Sequence, residues 1–319
     1  MKAVVVYKAG GPELLQYREV PTPEARPGWT LVKVRGVGVN HSEIFTREGK
    51  SPSVSFPRIL GIECVGQVER TFNPRLHAGQ TVISIMGEMG RAFDGGYAQY
   101  ALLPDEQVYP VSTSLPWEQL AAVPETYYTA FGSLERLRIE DGDDVLVRGA
   151  TSGVGVAFLR LVKALYPSCR VAGSTRSAQK GERLLGEGFD RCVVDDLNTL
   201  KTEDSFDAIL DLVGPAAAQD TFAHIRPGGT VCITGLLGGQ WTLDGFDPIV
   251  DTNGGCLTGF YSGDVDGERL QALISTIEDR QIDVKPERTF RLSEMRQAHA
   301  YLASRDSFGK AVAIPEFDE

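Results

Sequence analysis

Residues 144–162 read DVLVRGATSGVGVAFLRLV, two apolar runs separated by a segment that contains three glycines. The first run is short and bounded by polar residues, which is typical of a buried strand, and the second is long enough to begin a helix. Glycines between the two allow a tight turn. The stretch therefore predicts a strand, a turn and a helix. The turn either holds a nucleotide phosphate or is a plain corner between the two elements.

The same alternation continues beyond this stretch. Strand-like segments recur at residues 144–148, 170–174, 191–194, 208–212 and 230–234, and helix-like segments lie between them at 154–165, 178–186 and 215–225. Strands that alternate with helices are typical of a parallel sheet covered on both faces. We expect a doubly wound α/β domain here.

The two ends of the chain have a different character. The first 115 or so residues contain short strand-like runs broken by Gly and Pro, which indicate a small sheet or barrel. A helical stretch follows at about 115–138. The tail predicts a helix at 267–280, a strand at 289–292, a helix at 293–302 with Ser293 as N-cap, and a strand at 310–314. We expect domains at 1–116, completed by 283–319, and at 117–282.

Composition excludes several classes of protein. The chain has 319 residues, 42% of them apolar, a net charge of −11 and no run of Lys or Arg, so we expect neither a nucleic-acid nor a membrane partner. The five cysteines lack the spacing of a zinc finger and are expected to be thiols in a reducing compartment. No signal peptide or membrane-spanning run is recognised. We expect a soluble, cytoplasmic protein.

The glycine turn suits a dinucleotide. A pyrophosphate needs backbone N–H groups at a helix N-terminus and no bulky side chain in the way. The strict G-x-G-x-x-G is absent, since a serine lies where the middle glycine would fall. The candidate phosphate-binding residues are Ala150, Thr151, Ser152, Gly153, Val154 and Gly155.

The strand after the turn indicates which coenzyme, NADH or NADPH, the site prefers. An NAD site places an acidic residue about 20 positions beyond the turn, on the ribose 2′-hydroxyl. Here the chain has Ser174, Thr175 and Arg176, with Lys180 one helical turn further on. A guanidinium can pair with a 2′-phosphate, which an acid would repel. The sequence therefore favours NADPH, the alternative being that both cations are ordinary surface charges.

Several motifs, in this order along the chain, carry a family resemblance. They are MKA at 1–3, GGPE at 10–13, VGVN at 37–40, LGIECVG at 60–66, GGYAQY at 95–100, the turn at 149–155 and GKAV at 309–312. Together they resemble the medium-chain dehydrogenase/reductase superfamily over essentially the whole chain, and most closely its zinc-independent quinone oxidoreductase branch. The resemblance implies a GroES-like β-rich catalytic domain and a Rossmann domain.

The resemblance also predicts whether the chain has the ligands of a zinc ion. Zinc-dependent relatives carry Cys where Asn40 stands, His where Ile62 stands and a third ligand at the position of Glu125. Two of the three ligands are therefore missing, and residues 84–100 contain no Cys for a structural zinc lobe. We expect no metal. Without a Lewis acid, the favoured acceptors are quinones or α,β-unsaturated carbonyls, whose π-systems spread the charge that a hydride brings.

The resemblance implies the site residues as well. It places Asn40 and Thr129 near the nicotinamide and the substrate carbonyl, with Tyr128 and Glu63 as further catalytic candidates. It also assigns Gly235 and Lys310 to the cofactor. Three of the four catalytic candidates have a structural alternative: an N-cap for Asn40, core packing for Tyr128 and an ion pair for Glu63.

One departure from the family affects the substrate class. Phe45 stands where quinone reductases usually have a tyrosine, so that hydroxyl is lost. The main hypothesis is an NADPH-dependent, metal-free reductase of quinones or enones, and the alternative is an NADPH-binding protein with little catalysis. By analogy with the family we expect a homodimer, with residues 255–261 as an edge strand that needs covering.

Overall fold

A computed structural model describes residues 1–317 of the chain. The chain divides into two compact units, one formed by Met1–Thr126 with the tail that begins at Gly263, and the other by Tyr127–Ser262. We call them unit 1 and unit 2. Within residues 1–317, no helix combines the length and the apolar character needed to cross a membrane.

Unit 1 begins with short strands and few helices. The strands are β1 (Lys2–Val6), β2 (Gln16–Glu19), β3 (Trp29–Val39), β4 (Arg58–Ile59), β5 (Glu63–Arg70), β6 (Thr81–Ile85), β7 (Tyr100–Pro104) and β8 (Tyr109–Pro110). The helices are α1 (His41–Arg47), α2 (Trp117–Leu120) and α3 (Pro124–Leu137), the last of which continues into unit 2. The predicted helical stretch at 115–138 is thus two helices.

Unit 2 alternates strands and helices. Its elements are β9 (Asp144–Arg148), α4 (Gly153–Leu165), β10 (Arg170–Thr175), α5 (Ala178–Glu187), β11 (Arg191–Asp196), β12 (Thr199–Leu200), β13 (Phe206–Asp211), α6 (Ala218–Ala223), β14 (Ile225–Ile233) and β15 (Cys256–Gly259). The tail adds α7 (Gly267–Asp279), β16 (Arg288–Arg291), α8 (Met295–Ala303) and β17 (Ala311–Ile314) to unit 1.

Unit 2 is built on one seven-stranded sheet with the order β12-β11-β10-β9-β13-β14-β15. All neighbours in it are parallel except β11 and β12. The chain enters at β9, moves outward through β10, and returns to the other side of β9 at β13. Ligands of such sheets bind at this switch point, beyond the carboxyl ends of the strands. The predicted Rossmann domain is confirmed.

Unit 1 is β-rich, as predicted. Its larger sheet has the order β16-β17-β3-β5-β6-β8, with β7 also paired to β3, and a smaller sheet is formed by β2, β1 and β4. Strand β17 pairs antiparallel with β3, and Val312 lies opposite Gly38. The tail therefore completes the N-terminal domain. An apolar core from both ends of the chain holds these sheets together.

The unit boundaries differ from the predicted ones, 116/117 and 282/283. Helix α7 stays with unit 1 because Gln271 Nε2 donates to the Ser112 carbonyl (3.1 Å) and Ser114 N donates to Glu278 Oε1 (2.7 Å). Residues up to 126 stay there too, since Ala121 packs so closely on β3 that a Cβ on Gly36 would lie 2.6 Å away.

The predicted N-cap of the last long helix is wrong. Ser293 lies inside a 3₁₀ turn, Leu292–Glu294, and α8 begins only at Met295. The Ser293 hydroxyl donates to the Glu316 carboxylate at 2.5 Å. It does not accept from a backbone N–H of the helix. The local pattern assigned this hydroxyl to the helix as its cap, but the hydroxyl is bonded to the tail that follows β17.

Candidate active site

The turn between β9 and α4 is fixed by backbone and hydroxyl hydrogen bonds. Gly149 has φ of +82°, a conformation that favours glycine. Its N–H donates to Ser174 Oγ (3.1 Å), and the Ala150 N–H donates to the Ser174 carbonyl (3.1 Å). These contacts join the turn to the end of β10.

Ser152, at the position of the missing glycine, is the N-cap of α4. Its hydroxyl accepts from Gly155 N (3.1 Å) and donates to the Gly149 carbonyl (2.9 Å). The serine therefore closes the turn with its own side chain. Glycine is required at 155, because a Cβ there would lie 2.6 Å from the Ala150 carbonyl oxygen.

The turn leaves amide groups available for a ligand. Among residues 1–317, the backbone N–H groups of Thr151, Gly153 and Val154 donate no hydrogen bond. They lie at the N-terminus of a 13-residue helix, whose dipole favours an anion. The residues present fit a dinucleotide pyrophosphate.

The end of β10 lies beside this turn. Ser174 and Thr175 are buried, and Thr175 Oγ1 accepts from Ser177 N (3.2 Å), which shapes the bend into α5. Arg176 is exposed and Lys180 is half-buried. The carboxyl end of the strand therefore presents a guanidinium and no acid. There is no room for a side chain at Gly235, just after β14, since a Cβ there would lie 2.3 Å from the Leu212 carbonyl oxygen.

In unit 1, three predicted site residues form one polar cluster. Asn40 Nδ2 donates to Glu63 Oε1, and Lys310 Nζ donates to both Asn40 Oδ1 and Glu63 Oε1, each at 2.7 Å. Glu63 is fully buried and Lys310 nearly so. The second oxygen of Glu63 accepts from the Glu125 N–H (2.6 Å) in the first turn of α3. Lys310, predicted to bind the cofactor, thus has an acid and an amide as its partners.

A fourth member, Glu43, was not predicted. Its carboxylate accepts from the N–H groups of Asn40 (2.9 Å) and Ile62 (3.1 Å), and more weakly from Asn40 Nδ2 (3.4 Å). Burial, with the nearby Glu63 charge, raises the pKa of Glu43 to about 7, although its hydrogen bonds and Lys310 lower it. The signal for this residue was the capping-box spacing N-x-x-E at 40–43.

Asn40 occupies the N-cap position of α1, with extended backbone (φ −125°, ψ 157°). Glu43 supplies the reciprocal contact of a capping box, through the Asn40 N–H. The Asn40 side chain is instead turned to Glu63 and Lys310. The backbone of Asn40 therefore lies at the helix cap while its side chain joins the polar cluster, and its role beside the nicotinamide stays a prediction.

The other two catalytic candidates lie on α3 in unit 2. Thr129 is 5% exposed and lies one helical turn after Glu125. Tyr128 is fully buried, with its ring 5.7 Å from that of Phe260. Glycine at 132 makes room for the same Phe260 ring. The Tyr128 ring therefore packs against Phe260, and its catalytic role stays a prediction.

The residues do not fit a zinc ion. Within the described part of the chain, no three His, Cys, Asp or Glu side chains lie together as a metal-binding group. Burial, with the Glu63 charge, raises the pKa of the Cys64 thiol to about 12.

Comparisons with known proteins agree with this architecture. The family described as "Alcohol dehydrogenase GroES-like domain" matches residues 26–113, and "Zinc-binding dehydrogenase" matches residues 188–312. The chain is 28% identical to the quinone oxidoreductase of Homo sapiens, over 75% of this chain and 74% of the relative. It is 26% identical to the quinone oxidoreductase of Pseudomonas aeruginosa, over 96% and 97%. The crystal structure of AibC superposes with a TM-score of 0.83, at 26% identity, over 99% and 96% of the two chains.

Fold, motifs and relatives together define an oxidoreductase built from a GroES-like and a Rossmann domain. These matches support the medium-chain dehydrogenase/reductase superfamily and its quinone oxidoreductase branch.

Proposed function

We propose that this protein is an NADPH-dependent reductase of quinones or α,β-unsaturated carbonyls that works without a metal ion. Two neighbouring features carry the proposal. The backbone N–H groups of Thr151, Gly153 and Val154 lie at a helix N-terminus, where they can bind an anion. The strand end beside them presents Arg176 and no acid. The quinone oxidoreductases among its relatives support the acceptor class.

The coenzyme assignment follows from charge. A 2′-phosphate at the end of β10 would meet the exposed Arg176, with Lys180 on the next helical turn. An arginine can bind a phosphate through two parallel hydrogen bonds. NADH has only a ribose hydroxyl there, and this site has no acid to accept from it.

The acceptor class follows from the missing metal ligands. A bound NADPH would supply a hydride from nicotinamide C4. A quinone or enone spreads the resulting charge over its π-system, so hydrogen-bond donors suffice. Asn40 and Thr129 are the proposed donors to the acceptor oxygen, while Glu63 and Lys310 hold the Asn40 amide in place. A proton from solvent completes the reduction.

The test separates binding from turnover. Coenzyme binding is measured by fluorescence titration with NADPH and NADH, and then a panel of quinones and enones is added while absorbance of the reduced nicotinamide is followed. We expect saturable NADPH binding and oxidation with at least one acceptor. Saturable binding with no turnover on any acceptor would contradict the proposal and favour the binding-protein alternative.

Two further proposals concern assembly and location. Among residues 1–317, strand β15 is the last in the order of its sheet, and Leu257 and Tyr261 near it are 43% and 71% exposed. We propose that a second copy covers this edge in a homodimer. The five free cysteines support a reducing compartment, the cytoplasm.

A further inference from the structure

A buried arginine lies at the end of β9, directly before the glycine turn. Arg148 is fully buried, and its Nε and Nη2 atoms donate to the Asp195 carboxylate at 2.8 and 3.2 Å. Nη2 also lies 2.9 Å from Asp220 Oδ2, and Nη1 donates to the Ala217 carbonyl (3.1 Å) and to Thr221 Oγ1 (2.7 Å). These contacts use all the N–H groups of a guanidinium, so Arg148 can act on a ligand only through other residues.

Thr221 on α6 joins this arginine to a second buried acid. Its hydroxyl accepts from Arg148 Nη1, and its own hydrogen goes to Asp211 Oδ2 at 2.6 Å, which is nearer than the Ala217 carbonyl at 3.1 Å. Asp211 is the last residue of β13 and lies opposite Arg148 in the register of the two strands. Arg148, Thr221 and Asp211 are therefore hydrogen-bonded in series, within unit 2.

Asp211 in turn holds the backbone of the loop that follows β13. Its Oδ1 accepts from the N–H groups of Val213 and Gly214, both at 2.8 Å. The loop also contacts the segment after β14, since the Leu212 carbonyl accepts from Leu237 N (3.1 Å). One carboxyl group thus supplies two of the hydrogen bonds that shape this loop.

The loop at 212–214 lies beside two parts of the predicted coenzyme site. Leu212 N donates to the Arg148 carbonyl (3.1 Å), and a Cβ on Gly149 would lie 3.3 Å from Leu212 Cβ. At the other end of the loop, a Cβ on Gly214 would lie 2.3 Å from the Gly235 carbonyl oxygen. The loop therefore lies between the glycine turn and Gly235, at the switch point where such sheets bind their ligands.

We propose that Arg148 and Thr221 are positioning residues for the coenzyme, acting through Asp211 on the loop at 212–214. Their contacts orient the Asp211 carboxyl group, and this group sets the loop against which the dinucleotide rests. Apolar residues of similar volume often give as much stability as a buried ion network, so stability alone does not account for this one. The inference rests on the coenzyme-binding part of the proposed function.

The test removes one hydroxyl from the series. Thr221→Val keeps the shape of the side chain but breaks the link between Arg148 and Asp211. We expect it to weaken NADPH and NADH binding by a similar factor, roughly tenfold, because a polar contact is lost beside β13 and not beside Arg176. Fluorescence titration measures both dissociation constants, and thermal unfolding of the same samples measures stability.

Two variants serve as controls. Thr221→Ser keeps the hydroxyl and should bind both coenzymes as wild type does. Thr276→Val removes a hydroxyl that donates to a carbonyl four residues earlier on α7, as the Thr221 hydroxyl can on α6, and should also bind as wild type. A folded Thr221→Val that binds both coenzymes as tightly as wild type, or that loses affinity for NADPH alone, would overturn the proposal.

A second measurement uses the wild type and does not depend on how a variant folds. In ¹H–¹⁵N spectra, NADPH should shift the amide of Gly153 in the turn and the amides of Val213 and Gly214 in the loop. A shift of Gly153 with none in the loop would overturn this inference and leave the proposed function intact. Failure to bind either coenzyme would sink both, whereas binding without reduction of any acceptor would sink only the proposed function.

Discussion

Glu63 and Lys310 form a buried ion pair, with 2.7 Å between Oε1 and Nζ, directly over Gly38. A Cβ at Gly38 would lie 1.8 Å from Glu63 Oε1 and 2.5 Å from Lys310 Nζ. Because the glycine of the V-G-V-N motif has no side chain, it leaves the space that the ion pair occupies. The β3–β17 pairing, which sets Val312 opposite Gly38, brings Lys310 to this point from the other end of the chain.

The first prediction concerns that space. Gly38→Ala should lower the free energy of unfolding by about 1–3 kcal/mol, because the methyl group overpacks the ion pair. Urea unfolding measures the change. Gly186→Ala, where a Cβ meets nothing within 4 Å, is the control and should be neutral or stabilising. Equal stability of both variants would contradict the packing seen here.

The second prediction concerns the pair itself. Lys310→Met leaves Glu63 buried without its cation, which should reduce stability by about 3–5 kcal/mol. Adding Glu63→Gln should recover part of this loss, because the double variant holds no unpaired charge. Thermal unfolding of the two single variants and the double variant gives the coupling energy. Strictly additive effects would show that the two residues do not interact.

The third prediction concerns coenzyme choice. Arg176→Asp should weaken NADPH binding much more than NADH binding, since an acid repels the 2′-phosphate and can accept from a ribose hydroxyl. Fluorescence titration gives both dissociation constants. Arg138→Asp makes the same charge change on an exposed residue of unit 2 and should leave the ratio unaltered. An equal loss for both coenzymes would remove the basis for choosing NADPH.

The fourth prediction concerns the pH dependence of stability. His299 is fully buried, and its Nδ1 must accept from Arg47 Nη1 (3.0 Å), so its proton lies on Nε2, 3.2 Å from the Tyr97 hydroxyl. Burial, with the Arg47 charge, lowers the pKa of His299 to about 3, below its ordinary value of 6.5. The unfolded chain therefore binds the extra proton between these values. Stability should fall as pH drops below about 6.5, by up to roughly 1.4 kcal/mol per pH unit.

His299→Gln isolates this contribution. Gln keeps a donor and an acceptor but does not titrate, so the variant should lose less stability than wild type between about pH 7.5 and 5.5. The opposing contribution of Glu43, whose raised pKa favours folding at lower pH, is common to both proteins and cancels in the comparison. Parallel urea midpoints for the two proteins over this range would contradict the assigned burial.

The fifth prediction concerns assembly. Light scattering should give about twice the mass of one chain, and Leu257→Lys on the edge strand should shift the protein towards monomer, since a buried unpaired charge opposes strand pairing. Ile249→Lys changes a residue that is 90% exposed outside the strands and is the control. A wild-type monomer at all concentrations would exclude the proposed dimer.

Part of the site could be predicted because its signals are local. The turn at 149–155 and the end of β10 lie within one βα unit, where strand, turn and helix chemistry can be read from neighbouring residues. The cap role of Ser152, which was not predicted, also depends on near neighbours, since its hydroxyl accepts from Gly155 N. By contrast, Ser293 fits a local cap pattern and is bonded to Glu316 instead, because the tail that competes for it is distant in sequence.

The sequence by itself determined the order of strands and helices and the glycine turn, because hydrophobic periodicity and turn chemistry act over a few residues. The resemblance of its motifs implied the family and the two kinds of domain. Only the tertiary structure decided that Asn40, Glu43, Glu63 and Lys310 share one polar cluster, and that Tyr128 packs in a core. Such contacts depend on the register between strands that are far apart in the chain. A pattern of neighbouring residues does not specify that register.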